Sequence, residues 1–248
     1  MRDFACTYPQ LMNQALARGW NADSLQKLRA AYELALRRFD GFYRGQGIPF
    51  ICHLVRTASI VLAEDQPAEA VFAALLHSAY MFNLCRNECE RKARQRELKR
   101  EVGGAAESLI SQYTKFPWRQ AGAVRTHLEN LETASALSRQ ILAIRLANEL
   151  EDHLDLSMAY RGSFPYREWI ETQKDFLGEL ARRLGMPVLA QELGEAMQEH
   201  MSASLPAVLL RYQRDAYELP EHIRLRKGFL GRAFSRLKRY LFFKKATD

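Results

Sequence analysis

The residues best suited to chemistry in this chain are two histidines, His53 and His77, which stand at the outer ends of two apolar segments. Imidazole exchanges a proton near neutral pH and is a common metal ligand. A single histidine in an apolar segment is more often a core or capping residue. Two histidines at matched positions indicate a functional site more specifically than one does, and we therefore take this pair as a candidate site.

A helical hairpin is predicted to bring the two histidines together. Apolar residues at helical spacing predict a first helix over about 53–63, and Pro67 suits the first turn of a second helix. The connection at 64–66 is too short for anything but an antiparallel pair. At roughly 1.5 Å of rise per residue the two helices are about equally long. The histidines should therefore lie side by side at the end opposite the turn.

A third contribution is expected from a long helix predicted over about 123–157. One face of this helix begins apolar and turns polar at Asn148, with Asp152 one turn later. A side-chain amide on an otherwise apolar helix face must be hydrogen-bonded or take part in a functional site. Three further acidic side chains are predicted to be solvated: Glu149, Glu151 and Asp155. The other histidines indicate no cluster of their own: His127, His153, His200 and His222.

The whole chain is predicted to be all-α. Further helices are predicted over about 8–19, 22–42, 86–101, 166–184 and 187–203. Alternating charges on the 86–101 helix indicate a solvated face. No segment has the pattern of a strand. We expect a helical bundle at 1–160, a helical extension at 161–220 and a tail at 221–248.

The positive charge is concentrated in this tail. The chain carries a formal net charge of +7, and residues 221–248 hold nine basic against two acidic side chains, so the rest is neutral. An apolar, aromatic stripe with basic flanks predicts an amphipathic helix over about 225–245. It either packs on the body with its basic face in water or lies on an anionic membrane surface. Nucleic acid is disfavoured as a partner, because the body is neutral.

Composition excludes several other classes of protein. An apolar content of 48% and a charged content of 26% are ordinary for a globular protein. No apolar run approaches the roughly 20 residues of a membrane-spanning helix, and the N-terminal segment lacks a signal-peptide core. The four cysteines are scattered, which favours reduced thiols. We expect a cytoplasmic protein, with peripheral attachment to the inner membrane as the alternative.

The segment from Arg44 to His77 resembles the hydrolase half of bacterial RelA/SpoT-type proteins, which belong to the HD superfamily of metal-dependent phosphohydrolases. It has the lead Gly-x-Pro-[Phe/Tyr]-Ile-x-His and the ending Ala-Ala-Leu-Leu-His. The Ile-Arg-Leu-Ala-Asn run at 144–148 is similar to the family's later Lys-Leu-Ala-Asp motif. The resemblance covers about 25–160 and implies that residues 1–160 form an HD-domain-like helical bundle with its core at 25–160. The run from His77 to Tyr80 also resembles an uncharacterised HD-like subgroup with His-Ser-x-Tyr in place of His-Asp.

This resemblance implies a divalent ion (Mn, Zn or Fe) held by His53, His77 and Asn148, with Ser78 at a further ligand position. The family has aspartate at the last two positions, so two negative charges are missing here. Hard ions prefer anionic oxygen and should bind more weakly. The resemblance also implies that Arg44 flanks the ligand, together with Ser78 and Tyr80.

The family's acidic couple, which prepares the attacking water, corresponds to Met81 and Phe82. Asp152, Glu149 or His153 could complete a shifted site, and the two acids are the candidate catalytic residues.

Two functions follow from this resemblance. The first is an HD-like protein related to (p)ppGpp hydrolases, with a degenerate metal site, that binds or acts on a phosphorylated small molecule or nucleotide. It predicts an open polar pocket around the histidine pair. The alternative is a catalytically inactive regulatory or adaptor protein at the inner membrane surface. It predicts a pocket closed by Met81 and Phe82.

Overall fold

Ten α-helices make up most of the part of the chain that the computed structural model describes, which is residues 4–44, 47–81, 87–157, 159, 165–206, 208 and 217–218. The helices are α1 (Tyr8–Ala17), α2 (Ala22–Phe39), α3 (Phe50–Ala63), α4 (Ala68–Leu76), α5 (Glu88–Val102), α6 (Gly104–Tyr113), α7 (Ala123–Glu129), α8 (Ala136–His153), α9 (Pro165–Arg183) and α10 (Pro187–Ser202). Two short 3-10 helices span Leu131–Thr133 and Leu154–Leu156. The prediction of an all-α fold is confirmed.

Strand structure in the described residues is limited to one antiparallel pairing. β1 (Phe42–Tyr43) pairs with β2 (Tyr217–Glu218), with Tyr43 opposite Tyr217. β1 lies in the loop between α2 and α3, and Arg44 follows it directly. The pairing therefore joins the loop that carries Arg44 to a late segment of the chain.

Polar capping residues set several helix starts. Asn21 accepts a hydrogen bond from the Ser24 amide at the start of α2, and Asn87 caps α5 in the same way. Each cap satisfies a backbone N–H that has no partner within its helix.

A third cap corrects the prediction of one long helix over 123–157. Ser135 has an extended backbone, and its hydroxyl accepts a hydrogen bond from the Ser138 amide. It therefore starts α8 separately from α7, which ends at Glu129.

The α3–α4 hairpin lies at the centre of the molecule. Ten of the 14 residues of α3 are buried, and α4 is buried at all but two of its nine positions. α3 packs against α1, α2, α4 and α8, so it has no solvent face to keep polar. Burying a side chain such as Leu54 is worth about 1.5–3 kcal/mol. The rigid centre of the fold therefore carries His53 and His77 at one end.

The charged helix α5 is less solvated than its sequence indicates. Arg94, Leu98 and Val102 are buried, and the Arg94 guanidinium donates a hydrogen bond to the Ala79 carbonyl at 3.1 Å. The face that carries these three residues packs against α2 and α6, and the remaining residues of α5 are mostly exposed.

Helices α9 and α10 cover the end of α8. α9 and α10 pack against each other, and α10 packs against α8. Among the described residues, no helix combines the length and apolarity needed to cross a bilayer. The predicted basic helix over 225–245 lies outside the described residues, and the division into 1–160, 161–220 and 221–248 remains a prediction.

Candidate functional site

The two histidines of the hairpin face each other, as predicted. Their ring centroids are 5.3 Å apart and the rings are nearly perpendicular, at 82°. Phe50 packs against the His53 ring, and Tyr113 packs against the His77 ring. Both histidines are buried. The aromatic neighbours fix the ring positions and keep bulk water away from the pair.

His77 is held in its neutral form with one defined tautomer. Its Nδ1 lies 2.7 Å from the Ala74 carbonyl oxygen, which can only accept, so Nδ1 carries the proton. Burial, together with repulsion from His53, lowers the pKa of His77 to about 3. The lone pair on Nε2 is therefore available at neutral pH. A neutral imidazole oriented through its other nitrogen is the form in which histidine binds metals.

His53 meets two carboxylates from the last turn of α8. Its Nδ1 contacts Glu151 Oε2, and one donor atom each from His53, Glu151 and Asp152 lie within 4.8 Å of one another. All three residues are buried. One imidazole nitrogen and two carboxylate oxygens form a donor set that suits Zn²⁺, Mn²⁺ or Fe²⁺.

The guanidinium of Arg44 occupies the same cluster. Its Nη1 is 2.8 Å from His53 Nδ1 and 3.7 Å from Glu151 Oε2, while its Nη2 donates to Asp152 Oδ1. Burial works against the charge on Arg44, but Asp152 and Glu151 outweigh it and raise the pKa of Arg44. Burial likewise opposes ionisation of Asp152, yet Arg44, His53 and Arg119 lower the pKa of Asp152 to about 2.

A second ion pair, formed by Glu149 and Arg119, lies beside this cluster. The Arg119 Nη2 donates to both carboxylate oxygens of Glu149, at 2.9 and 3.1 Å, and lies 3.6 Å from Asp152 Oδ2. Trp118 Nε1 donates to the same carboxylate at 2.9 Å, and the Trp169 ring lies under the guanidinium. Burial and the nearby Asp152 raise the pKa of Glu149 against the opposing effect of Arg119.

A buried histidine pair joins α8 to α10. His153 and His200 face each other with 3.2 Å between their Nδ1 atoms, so one of these nitrogens must donate to the other. Burial lowers the pKa of His153 to about 4. The prediction that these two histidines form no cluster is therefore wrong. With His153, all five residues from 149 to the end of α8 are buried.

The structure brings some of the other predicted site residues to this cluster. Asn148 is half-buried, and its amide lies 3.4 Å from Asp152 Oδ2. Ser78 is buried directly after His77. Tyr80 is turned to α6 and donates to Glu107 Oε1 at 2.8 Å. Met81 is exposed, and Phe82 lies outside the described residues, so the closure of the pocket by these two side chains remains a prediction.

Sequence reasoning missed Glu151 and Arg119. Glu151 lies off the helix face that carries Asn148 and Asp152 and was predicted to be solvated, but every residue from 149 to 153 at the end of α8 is buried. The same enclosure buries Glu149, so its predicted solvation is also wrong, whereas Asp155 is exposed as predicted. Nothing in the sequence near Arg119 indicated that it would approach α8.

Comparisons with known proteins give a likeness to solved structures but none in sequence. No family model matches this chain, and no curated protein sequence matches it. Among solved structures, the chain is similar to a metazoan ortholog of SpoT that hydrolyses ppGpp, with 17% identity over 70% of this chain and 94% of that chain and a TM-score of 0.47. A likeness at this level does not transfer residues or activity to this chain.

Proposed function

We propose that this chain is an HD-like protein that binds a divalent metal ion through His53, Glu151 and Asp152 and uses the site to bind or act on a phosphorylated small molecule or nucleotide. The observation that carries the proposal is the buried group of three donor atoms within 4.8 Å of one another. The motif resemblance of the Arg44–His77 segment supports the HD-like assignment.

The charges of the cluster fit a divalent ion. Ser78 and Asn148 stand where the resembled family has two aspartates, and they supply no negative charge. Glu151 and Asp152 lie close to His53 and supply two. His77 adds a neutral imidazole whose Nε2 lone pair is available. Glu151 and Asp152, which lie on the same helix as Asn148, would thus take the place of the two missing aspartates.

A divalent ion at this site would supply a Lewis acid that polarises a phosphoryl oxygen. The residues of the chain would supply the rest. Arg44 and Arg119 are the cations of the site, and guanidinium groups bind phosphoryl oxygens through paired N–H donors. Glu149 has both oxygens bonded to Trp118 and Arg119, so we assign it a positioning role instead of the predicted catalytic one. Asp152 remains a candidate catalytic residue, as predicted, and would act as an ionised ligand of the metal ion.

Metal analysis tests this proposal. Protein purified without chelator should contain about one equivalent of a transition metal by elemental analysis, and the chelated protein should rebind Mn²⁺ or Zn²⁺ in calorimetry. Glu151→Gln and Asp152→Asn each remove one charged ligand and should weaken binding by about tenfold or more. Asp155→Asn is the matched control, because this carboxylate, three residues after Asp152, is exposed and pairs with Arg56 outside the cluster, so the change should leave binding unchanged. Equal binding by all variants would contradict the ligand assignment.

The contacts of Arg44 favour a second candidate function. A guanidinium that already pairs with Glu151 and Asp152 can hold the cluster together without metal, which suits a catalytically inactive regulatory or adaptor protein. A folded wild-type protein that binds no added metal and releases no phosphate from a panel of nucleotides and sugar phosphates would favour this candidate. Metal binding together with phosphate release would exclude it.

A further inference from the structure

The three donor residues of the candidate metal site share one more neighbour, the guanidinium of Arg44. This group donates to Asp152, lies 2.8 Å from His53 Nδ1 and lies 3.7 Å from Glu151. Its side chain is only 13% exposed. Arg44 is therefore not a rim residue that approaches the site from solvent. It fills the space between the three donors.

A metal ion and this guanidinium need the same electron pairs. His53 Nδ1 contacts both the Arg44 guanidinium and Glu151 Oε2. When it is unprotonated, its one lone pair can accept an N–H from Arg44 or bind a metal ion, and it cannot do both. The carboxylate of Asp152 likewise directs its Oδ1 at the guanidinium. A divalent ion carries two positive charges, whereas the guanidinium carries one. The ion is therefore attracted more strongly than Arg44 by the carboxylates of Glu151 and Asp152.

We propose that Arg44 is a built-in counter-ion of the metal site, so that Arg44 and the metal exclude each other and metal binding expels the guanidinium from the cluster. This inference rests on the proposed metal-binding function. It makes Arg44 an autoinhibitory contact: the guanidinium stabilises the metal-free protein and weakens the apparent affinity for metal by the free energy of its own contacts.

The loop allows this exchange without unfolding, because its backbone is tied down separately from the side chain. The Arg44 amide donates to the Ile48 carbonyl at 2.8 Å, and the Gly47 amide donates to the Arg44 carbonyl at 2.8 Å. Gly47 has a φ of 86°, which favours glycine in this turn. β1, immediately before Arg44, is held by β2. We therefore expect the Arg44 side chain, and not the backbone of the loop, to move when metal binds.

The inference is tested by the metal affinity of Arg44 variants of the full chain. Arg44→Ala removes the guanidinium, and Arg44→Gln keeps a hydrogen-bonding side chain without charge if the alanine variant does not fold. Arg56→Ala is the matched control, because Arg56 is a partly buried arginine of α3 whose ion pair with Asp155 lies outside the cluster. Zn²⁺ and Mn²⁺ affinity is measured by competition with a chromophoric chelator, and the thermal midpoint is measured in excess chelator.

We expect both Arg44 variants to bind metal at least about tenfold more tightly than wild type, which is about 1.4 kcal/mol. In chelator they should unfold at a lower temperature than wild type, and Arg56→Ala should not change metal affinity. If the Arg44 variants bind metal and the wild type does not, the result would also support the mutual exclusion of Arg44 and the metal. Equal or weaker affinity in the variants, with a wild type that binds metal, would overturn the role of Arg44 and leave the metal site intact. No binding by any variant would overturn the proposed metal-binding function and this inference with it.

Discussion

At the scale of single residues, the unusual feature is a pair of consecutive buried carboxylates. Glu151 and Asp152 would repel each other in a medium of low polarity, and a buried charge without a partner is costly. They are tolerated because His53, Arg44 and Arg119 bring nitrogen atoms to them from three different parts of the chain. Each of these three side chains therefore offsets part of the cost of burying the two carboxylates.

The Arg119–Glu149 pair shows this cost most directly. Arg119→Ala removes both hydrogen bonds to a carboxylate that is 1% exposed, together with the contact to Trp169. Leaving a buried charge unpaired costs about 3–5 kcal/mol, and we expect a loss near the lower end because water can reach the vacated space. Urea unfolding at pH 7 measures it.

Two controls make this prediction specific. Arg125→Ala removes an exposed pair with Glu129 and should cost less than about 0.5 kcal/mol. The double variant Arg119→Ala/Glu149→Gln should recover much of the lost stability, because no ion is then left unpaired. If Arg119→Ala were as stable as wild type, the buried Glu149 carboxylate would not need Arg119 as its partner.

At the scale of elements, local signals predicted the hairpin but not its surroundings. The three-residue connection and Pro67 were enough to place His53 beside His77, since both signals lie within the hairpin itself. The break between α7 and α8 was missed because Ser135 resembles any serine in a helical run until its cap is seen. Glu151 and Arg119 were missed because their burial depends on elements distant in sequence.

Helix α5 offers a test of this difference between local pattern and packing. Leu98 is fully buried although most of its neighbours along α5 are charged. Leu98→Ala should destabilise the protein by about 2–5 kcal/mol, the range for a buried leucine replaced by alanine. Leu36→Ala, at a position that is 44% exposed, should cost far less.

Urea unfolding measures both leucine variants, and metal affinity should not change in either because α5 carries none of the proposed ligands. Equal small losses in the two variants would mean that α5 is solvated, as its charge pattern indicates.

At the scale of the whole molecule, two buried histidines make stability depend on pH. The pKa values of His77 and His153 are about 3 and about 4 in the folded protein, below the ordinary value of 6.5. Between pH 4 and pH 6.5 the unfolded chain therefore binds more protons than the folded one, and stability rises with pH. This contribution is fully present above pH 6.5 and is lost as the pH falls through that window.

Near pH 5, two such groups give a slope of up to about 2.7 kcal/mol per pH unit. Urea unfolding at pH 7.5, 6.0 and 5.0 should show this loss, with excess chelator present so that metal release does not contribute. His153→Gln should reduce the slope by about half. A stability that is the same at pH 7.5 and pH 5.0 would contradict the burial of the two neutral rings.

The enclosed end of α8 has a consequence for amide hydrogen exchange. Helix ends ordinarily fray, because the last turn has few contacts and its amides open independently of the core. Here the five residues from 149 to 153 are buried, and four of them hold ionic or imidazole contacts to other elements. Fraying would break those contacts together. The amides of this last turn should therefore exchange as slowly as those of α3, and deuterium uptake should rise there only when the whole bundle opens.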